Sequence, residues 1–230
     1  MAKKSEKRAK IVLNADVPAV KFLCGNDPQL ARVIRAVGEI SYVAFEEEPF
    51  RFLVHEIVEQ MLSVKAGERI FGRICALCGG KISPRKIAAL SEDDLRAAGT
   101  SRPKARAILG LAQSVLRREI DFKKLPEMSD ADAMRVLTSL RGIGNWTAKM
   151  YLIFVLGRED VLPLEDGAFV QVFRWLCAAD VPAGAQIDAS PSAISARCAC
   201  WHPYSSLAAR FLYAALDSGL TRRTPLAALP

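Results

Sequence analysis

Apolar residues recur every three or four positions along most of the chain, which is the period of an amphipathic helix. Segment 28–37 places four apolar side chains on one face: Leu30, Val33, Ile34 and Val37. Almost no segment alternates apolar and polar residues with a period of two, so strands are not expected. The pattern predicts an all-α protein of about nine or ten helices joined by short loops.

Capping residues stand where several of these helices begin. Ser91 precedes Asp94 by three residues, which is close to a capping box, and Ser129 opens a segment that ends before Gly142. Segment 145–157 is apolar nearly all round, and this predicts a buried helix.

Composition narrows the class of protein. Of the 230 residues, 51% are hydrophobic and 25% are charged, as in ordinary globular proteins. No stretch is long and apolar enough for a transmembrane helix, and no apolar segment follows the basic N-terminus to make a secretory signal. We therefore expect a cytoplasmic protein.

The six cysteines are too few for a disulfide scaffold. The pairs Cys75–Cys78 and Cys198–Cys200 lie far apart in the chain, and His202 adds only a third ligand to the later pair. Free, mostly buried thiols are the preferred interpretation, with a metal site as the alternative.

The formal charge of +7 is unevenly placed. Residues 1–10 contain five Lys or Arg and one Glu, so little of the excess remains for the rest of the chain. Residues 1–12 are predicted to be a disordered basic arm, either a solvated tail or an extra attraction for phosphate. A positive charge permits a polyanionic partner but does not identify one.

The most specific segment is Leu137–Ala148, where Gly142, Ile143 and Gly144 separate two amphipathic helices. Two glycines permit a very tight turn, and Ile143 can anchor it to the core. Backbone N–H groups there, with the N-terminus of the next helix, can approach an anion such as phosphate. The alternative is an ordinary helix connection with a glycine C-cap.

This segment resembles the helix-hairpin-helix motif of the HhH-GPD superfamily of DNA glycosylases. The hairpin is followed, as in that family, by a Pro-containing loop and an aspartate, and the two motifs read GIGNWTA and DVLPLED. They look most like the 3-methyladenine DNA glycosylase branch. Three further segments are similar to the family in the same order: FLVHEIVEQMLSVKA, LRAAGTSRPKARAILGLA and WHPYSSLAARFLY.

The resemblance implies two helical subdomains with the active-site cleft between them. We expect residues 13–48 and 180–230 to form one subdomain and residues 49–179 to form the other. The second would contain the helix-hairpin-helix at 133–157 and the catalytic aspartate loop at 160–167.

Asp166 matches the catalytic aspartate of the family. Cleavage of an N-glycosidic bond develops positive charge on the sugar, which a carboxylate can stabilise while it orients or deprotonates the attacking water. Asp166 precedes an apolar helical run, so from the residues alone it is also a good N-cap, and one residue can do both. Glu165 is the nearest competitor, but the register favours Asp166.

The family members that also cut the DNA strand use a lysine nucleophile on the helix after the hairpin. The matching position here is Trp146, and Lys149 lies about one turn further on. The resemblance therefore implies a monofunctional enzyme without lyase activity. The cysteine run of the iron–sulfur branch is missing too, so no iron–sulfur cluster is expected.

The resemblance implies an aromatic pocket for a flipped, positively charged base, which cation–π stacking would select. Trp146 and Trp201 match pocket positions in the family. Weaker candidates for the pocket are Tyr151, Phe45 and His55. Core packing is the alternative for each of these side chains.

A side chain at the end of the helix from Pro49 is expected to wedge into the space that the flipped base leaves. Met61 and Gln60 are the candidates. Many relatives read Gln-Gln-Leu-Ser where this chain has Gln-Met-Leu-Ser.

Binding to the DNA backbone is expected mainly from N–H groups at Gly142, Ile143, Gly144 and Thr147. Lys149 and Lys104 are expected to add charge. The resemblance also implies a Na⁺ or K⁺ ion on backbone carbonyls when DNA is bound, and the matching residues are Thr138, Leu140 and Ile143. No other cofactor is expected. We expect only about two to four phosphate contacts from the folded body.

Together these features predict a monomeric glycosylase that removes alkylated purines from double-stranded DNA in base excision repair. It would act in the bacterial cytoplasm on the nucleoid, or in a eukaryotic nucleus, with no membrane partner. A non-catalytic helix-hairpin-helix DNA-binding protein and a glycosylase for other damaged or mismatched bases remain as alternatives.

Overall fold

Helices account for most of the chain in the computed structural model, which describes residues 10–43, 48–182 and 185–229. In chain order the α-helices are α1 (Pro18–Asn26), α2 (Pro28–Val37), α3 (Pro49–Glu59), α4 (Val64–Leu77), α5 (Pro84–Ala88), α6 (Glu92–Ala97), α7 (Arg102–Leu116), α8 (Asp130–Thr138), α9 (Asn145–Met150), α10 (Gly167–Cys177), α11 (Pro191–Arg197), α12 (Ser205–Asp217) and α13 (Leu220–Arg223). The prediction of a helical fold class is confirmed.

Two short strands are the exception to the helical pattern. Strand β1 (Lys10–Leu13) pairs in antiparallel register with β2 (Ile40–Val43), so that Lys10 lies opposite Val43. Residues 10–12 were predicted to belong to a disordered arm, and that is wrong for these three residues. The β-branched side chains of Ile11 and Val12 favour an extended backbone once a partner strand is present. The rest of the predicted arm, residues 1–9, lies outside the described residues.

The chain divides into two compact units. The terminal unit comprises residues 1–44 and 157–230, and the central unit comprises residues 45–156. The sequence-based boundary at 179/180 differs from the observed one, because α10 packs against α12 and α2 and therefore belongs to the terminal unit. The hairpin thus lies in the central unit, and the loop that ends at Asp166 lies in the terminal unit.

The core of the terminal unit contains a buried carboxylate. Asp27, which is 1% exposed, accepts hydrogen bonds from Arg197 Nη1 at 2.7 Å and Nη2 at 3.1 Å and from Trp201 Nε1 at 2.7 Å. It also caps α2 by accepting from the N–H groups of Gln29 and Leu30. Burial opposes the ionisation of Asp27, but the hydrogen bonds and the Arg197 charge outweigh it and hold its pKa below the ordinary value.

The central unit has its own apolar core, in which α3 packs against α4 and α7. The predicted helix over 145–157 begins as α9 and continues as a π-helical turn from Tyr151 to Val155. Most of its side chains are buried, as its apolar character predicts. Within the described ranges, no helix combines the length and apolar character needed to cross a membrane.

Replacing Asp27 with Asn is expected to lower the free energy of unfolding by about 3 kcal/mol, because Arg197 would keep a largely buried charge without its partner. Urea denaturation at neutral pH measures this. The matched control is Asp16→Asn. Asp16 forms an exposed ion pair with Lys21, and its loss should leave stability unchanged.

The effect should also depend on pH. A carboxylate whose pKa is depressed by folding stabilises the protein above its unfolded pKa of about 3.9, and this contribution is lost as the pH falls through the folded pKa. The difference in stability between wild type and Asp27→Asn should therefore shrink below about pH 4. A difference that stays constant through acid would contradict this role of Asp27.

Candidate functional site

The turn between α8 and α9 is tight and closely packed. The Ile143 N–H donates to the Leu140 carbonyl at 3.1 Å, and the Ile143 side chain is buried. Gly142 has a φ of +85°, and a Cβ at this position would overlap the methyl group of Ala107 on α7. Gly142 is therefore required both by its left-handed backbone and by the close approach of α7.

The start of α9 can receive an anion. Gly144 is the N-cap, and the first helical hydrogen bond runs from the Ala148 N–H to the Gly144 carbonyl at 3.0 Å. The N–H groups that precede Ala148 are those that a helix cannot pair internally. Because Gly144 and Asn145 are exposed, this positive end of the helix is open to solvent.

Gln60 holds the hairpin to the end of α3. Its Nε2 donates to the Gly142 carbonyl at 3.0 Å and to Thr147 Oγ1 at 3.1 Å. The prediction of Gln60 as a wedge residue is corrected, because its amide is already bonded within the protein.

Lys104 forms hydrogen bonds with the same end of α3. Its Nζ donates to the carbonyls of Val58 at 2.8 Å and Gln60 at 2.5 Å, and burial lowers its pKa. The predicted contact of Lys104 with the DNA backbone is therefore corrected to a structural role, because its ammonium caps the last carbonyls of α3. Lys149 is half-buried on α9, and its contact with DNA stays a prediction.

Met61 projects fully into solvent. It has a φ of +58°, an uncommon left-handed conformation for a residue with a side chain, and its side chain is completely exposed. Leu62 and Val64 are also exposed, so the connection from α3 to α4 forms a short apolar tip. A fully exposed apolar side chain gains nothing from folding, and the role of Met61 as the wedge stays a prediction.

Asp166 caps α10 and is half-buried. Its Oδ2 accepts a hydrogen bond from the Phe169 N–H at 2.8 Å and another from the Tyr213 hydroxyl at 2.9 Å. Tyr213 was not among the predicted site residues, although it ends the family-like segment WHPYSSLAARFLY. The hydrogen bond from its phenol fixes the orientation of the carboxylate.

The loop before Asp166 is fastened to the start of α12. Asp160 Oδ1 accepts from the Ser205 hydroxyl at 2.6 Å and from its N–H at 3.2 Å, while Oδ2 bonds to His202 Nδ1. Burial opposes the ionisation of Asp160, but these partners outweigh it and keep its pKa below the ordinary value. The Val161 N–H donates to Ser206 Oγ at 2.8 Å, which adds a second connection.

Trp201 belongs to the core of the terminal unit. It has no exposed surface, its Nε1 donates to Asp27, and its ring meets Phe169 edge-on. The prediction that Trp201 lines a base pocket is therefore corrected, because a fully buried ring offers no surface to a base.

Tyr151 also has no exposed surface and packs between the rings of Phe52 and Phe122. Its hydroxyl is buried without a hydrogen-bond partner among the described residues, and burial raises its pKa. The predicted pocket role of Tyr151 is corrected on the same ground of full burial.

The other pocket candidates differ in their surroundings. Trp146 is half-buried at the start of α9, and its pocket role stays a prediction. His55 lies over the ring of Phe71 and 3.3 Å from Glu59, so its contacts are those of a side chain packed between α3 and α4. Phe45 lies outside the described residues.

Two places could hold a cation. Among the described residues, one cluster of three potential ligands lies close together, namely His55, Glu56 and Glu59. Within this cluster, His55 Nε2 lies 3.3 Å from Glu59 Oε1. All six cysteines are free thiols. At the hairpin, the carbonyls of Thr138, Leu140 and Ile143 are hard oxygen donors of the kind that alkali ions accept, so the donor chemistry fits the predicted ion.

A glycine turn between two helices, with amides exposed at the start of the second, defines a helix-hairpin-helix protein. The sequence profile of the HhH-GPD superfamily of base excision DNA repair proteins matches residues 54–189. The chain belongs to this superfamily.

Individual relatives support the assignment to this superfamily. The chain is 30% identical over 159 residues to DNA-3-methyladenine glycosylase 1 of Schizosaccharomyces pombe, a match that covers 67% of this chain and 70% of that protein. Among solved structures it is similar to a DNA-3-methyladenine glycosidase from Bacillus halodurans, with a TM-score of 0.78 and 31% identity over 94% of this chain and 97% of the other. It also resembles a 3-methyladenine DNA glycosylase from S. pombe in complex with abasic DNA, with a TM-score of 0.78 and 26% identity over 87% and 97% of the two chains.

The two hairpin glycines should respond differently to alanine. Gly142→Ala is expected to destabilise the protein, because the new methyl group would overlap Ala107 at a left-handed φ. Gly144 has an ordinary φ of −95° and open space around it, so Gly144→Ala should leave the melting temperature nearly unchanged. If the amides there bind phosphate, Gly144→Ala should nevertheless weaken DNA binding.

Thermal melting and binding to fluorescent duplex DNA separate these two effects. Unchanged DNA affinity for a folded Gly144→Ala variant would contradict phosphate binding at the start of α9. Partial recovery of stability in the double variant Gly142→Ala/Ala107→Gly would confirm the steric cause.

Proposed function

We propose that this protein hydrolyses the N-glycosidic bond of alkylated purines, such as 3-methyladenine and 7-methylguanine, in double-stranded DNA. The observation that carries the proposal is the environment of Asp166. A partly accessible carboxylate at the start of α10, oriented by Tyr213, stands in a chain whose hairpin offers amides to phosphate. The names of the relatives support this substrate class.

Asp166 would act on the sugar of a flipped nucleotide. As the base leaves with the bonding electrons, positive charge develops on the sugar, and a carboxylate stabilises it electrostatically. The Phe169 N–H at the start of α10 and the Tyr213 hydroxyl both donate to Asp166 and hold its carboxylate in place. The same carboxylate would orient or deprotonate the water that attacks the sugar carbon.

An alkylated purine suits this chemistry because it is positively charged and already a good leaving group. It needs little acid catalysis, and an electron-rich ring can select it by cation–π stacking. With Trp201 and Tyr151 buried in the cores, we assign this role to the partly exposed Trp146. Since a tryptophan occupies the position of the family's lysine nucleophile, we propose water as the attacking group and no strand cleavage.

The hairpin would hold the DNA strand. Amides of Gly142, Gly144 and Thr147 would face phosphate. The predicted contact of the Ile143 amide is corrected, because its N–H already donates to the Leu140 carbonyl. A Na⁺ or K⁺ ion held by the carbonyls of Thr138, Leu140 and Ile143 would add positive charge there. We propose no other cofactor.

Each chain carries both the hairpin and Asp166, so a monomer contains every element that the proposal needs. We also propose that the protein acts where chromosomal DNA lies, either on a bacterial nucleoid in the cytoplasm or in a nucleus.

Asp166→Asn is expected to abolish the release of free 3-methyladenine and 7-methylguanine from methylated DNA, while DNA affinity at fixed salt stays near that of the wild type. The amide is neutral and cannot stabilise the developing charge, whereas the backbone amides still bind phosphate. Glu165→Gln is the matched control, because Glu165 is an adjacent, exposed acid, and it should keep its activity. Chromatography of the released bases measures both variants.

Three results would count against the proposal. If the wild-type protein binds DNA but releases no base, the chain is a non-catalytic DNA-binding protein. Full activity of Asp166→Asn would assign the chemistry to another residue. Strand cleavage without added base would contradict the monofunctional mechanism.

Met61→Gly tests the wedge. The glycine suits the left-handed backbone, so stability should be kept or raised, but excision from duplex DNA should fall about tenfold if the wedge supplies about 1.4 kcal/mol toward base flipping. Excision from single-stranded DNA should change little, because no stack has to be opened there. Leu116→Ala, which also shortens an exposed apolar side chain, is the control. Equal loss on both substrates would rule out a wedge function.

A further inference from the structure

A basic segment follows the apolar tip. Residues 64–90 contain six Lys or Arg and one Glu. Only about two to four phosphate contacts were expected from the folded body, because residues 1–10 hold much of the net positive charge. The distribution along α4 and the segment that follows changes that expectation.

Three of these cations lie along one face of α4. Lys65, Arg69 and Arg73 are spaced by four residues and are exposed. The buried side chains of α4, Phe71 and Ile74, lie on the opposite face, so the cations point away from the core. We call Lys65, Arg69 and Arg73 the basic stripe.

The basic stripe is sterically open. The small residues Gly72 and Ala76 lie on the same face of α4, and a Cβ built at Gly72 would meet no atom within 4 Å. A bulky polyanion can therefore approach the helix closely. Glu68 is the acidic residue of α4, and helical periodicity places it toward the edge of this face.

No cation of the basic stripe forms an ion pair with a described residue, in contrast to other arginines of the same unit. Arg102 and Arg106 on α7 both lie within 3.2 Å of the Glu92 carboxylate, and Arg96 pairs with Asp93. The charges of α6 and α7 are thus balanced within the protein, whereas those of the basic stripe remain available to a partner.

The position of the basic stripe identifies the partner. Helix α4 begins three residues after Met61, and Gln60 bonds directly to the hairpin, so the tip, the hairpin and the start of α4 are neighbours within the central unit. Lys65 and Arg73 are separated by about 12 Å along the helix axis. This distance corresponds to about three or four nucleotides of one strand at 3.4 Å each.

We propose that the basic stripe is a second phosphate-binding surface, which holds the backbone of duplex DNA beyond the site of base flipping. The inference rests on the proposed action on DNA, but it does not depend on any particular lesion. Phosphate contacts of this kind position the protein on the duplex and carry no base specificity. They would add to the contacts of the hairpin amides.

The test is the salt dependence of binding to an undamaged fluorescent duplex. The triple variant Lys65→Gln/Arg69→Gln/Arg73→Gln should reduce the slope of log affinity against log salt by about 2.7, which is 0.9 for each of three contacts. Between 50 and 200 mM salt, the wild type should then lose about 40-fold more affinity than the variant. These surface changes should not alter the melting temperature.

The matched control removes the same charge elsewhere in the central unit. Arg118, Lys123 and Lys124 are exposed and come after the C-terminal end of α7. Lys104, in contrast, lies in the first turn of α7. The variant Arg118→Gln/Lys123→Gln/Lys124→Gln should keep the wild-type slope. An equal reduction in both triple variants would show a general effect of net charge and would overturn the inference, as would an unchanged slope in the stripe variant.

The phosphate-binding role of the basic stripe and the proposed reaction can be tested separately. The basic stripe variant should release bases at the wild-type maximal rate when DNA is saturating, with only the concentration required for half-maximal rate raised. If the wild-type protein releases no base, the proposed chemistry fails while the salt slope still measures the basic stripe. A lowered maximal rate with an unchanged slope would contradict a phosphate-binding role.

Discussion

The two hydrogen bonds from the Gln60 amide hold together the surface of the central unit that we expect to meet DNA. They connect the residue after α3 to the hairpin carbonyl of Gly142 and to the hydroxyl of Thr147 on α9. Lys104 fixes the same turn from α7. The residue before Met61 is thus bonded directly to the hairpin, and a preorganised arrangement of this kind lowers the entropic cost of binding.

The terminal unit fixes its carboxylate in a different way. Asp166 is held by the backbone of α10 and by Tyr213 of α12, and the loop before it is attached to the start of α12 through Asp160. Hydrogen bonds from at least two directions restrict the rotamers of Asp166, which is what a preorganised electrostatic site requires. The buried pair of Asp27 and Arg197 stabilises the core behind this loop.

Features that depend on neighbouring residues in the chain could be predicted from the sequence. The hairpin follows from Gly142 and Gly144, and the position of Asp166 at a helix start follows from the apolar run behind it. The burial of Trp201 could not be predicted, because its partner Asp27 lies 174 residues away. Gln60 was misassigned for the same reason, since a single sequence does not show which distant carbonyl will receive a polar side chain.

The two units differ in how their chain is organised. The central unit is one continuous segment, whereas the terminal unit is closed by pairs such as Asp27 and Arg197, which are 170 residues apart. Loop closure of this length costs little stability but delays folding. During synthesis, the apolar face of α2 cannot be buried until α10 and α12 have left the ribosome. The nascent N-terminal helices therefore expose apolar surface for most of synthesis, and exposed apolar surface favours aggregation.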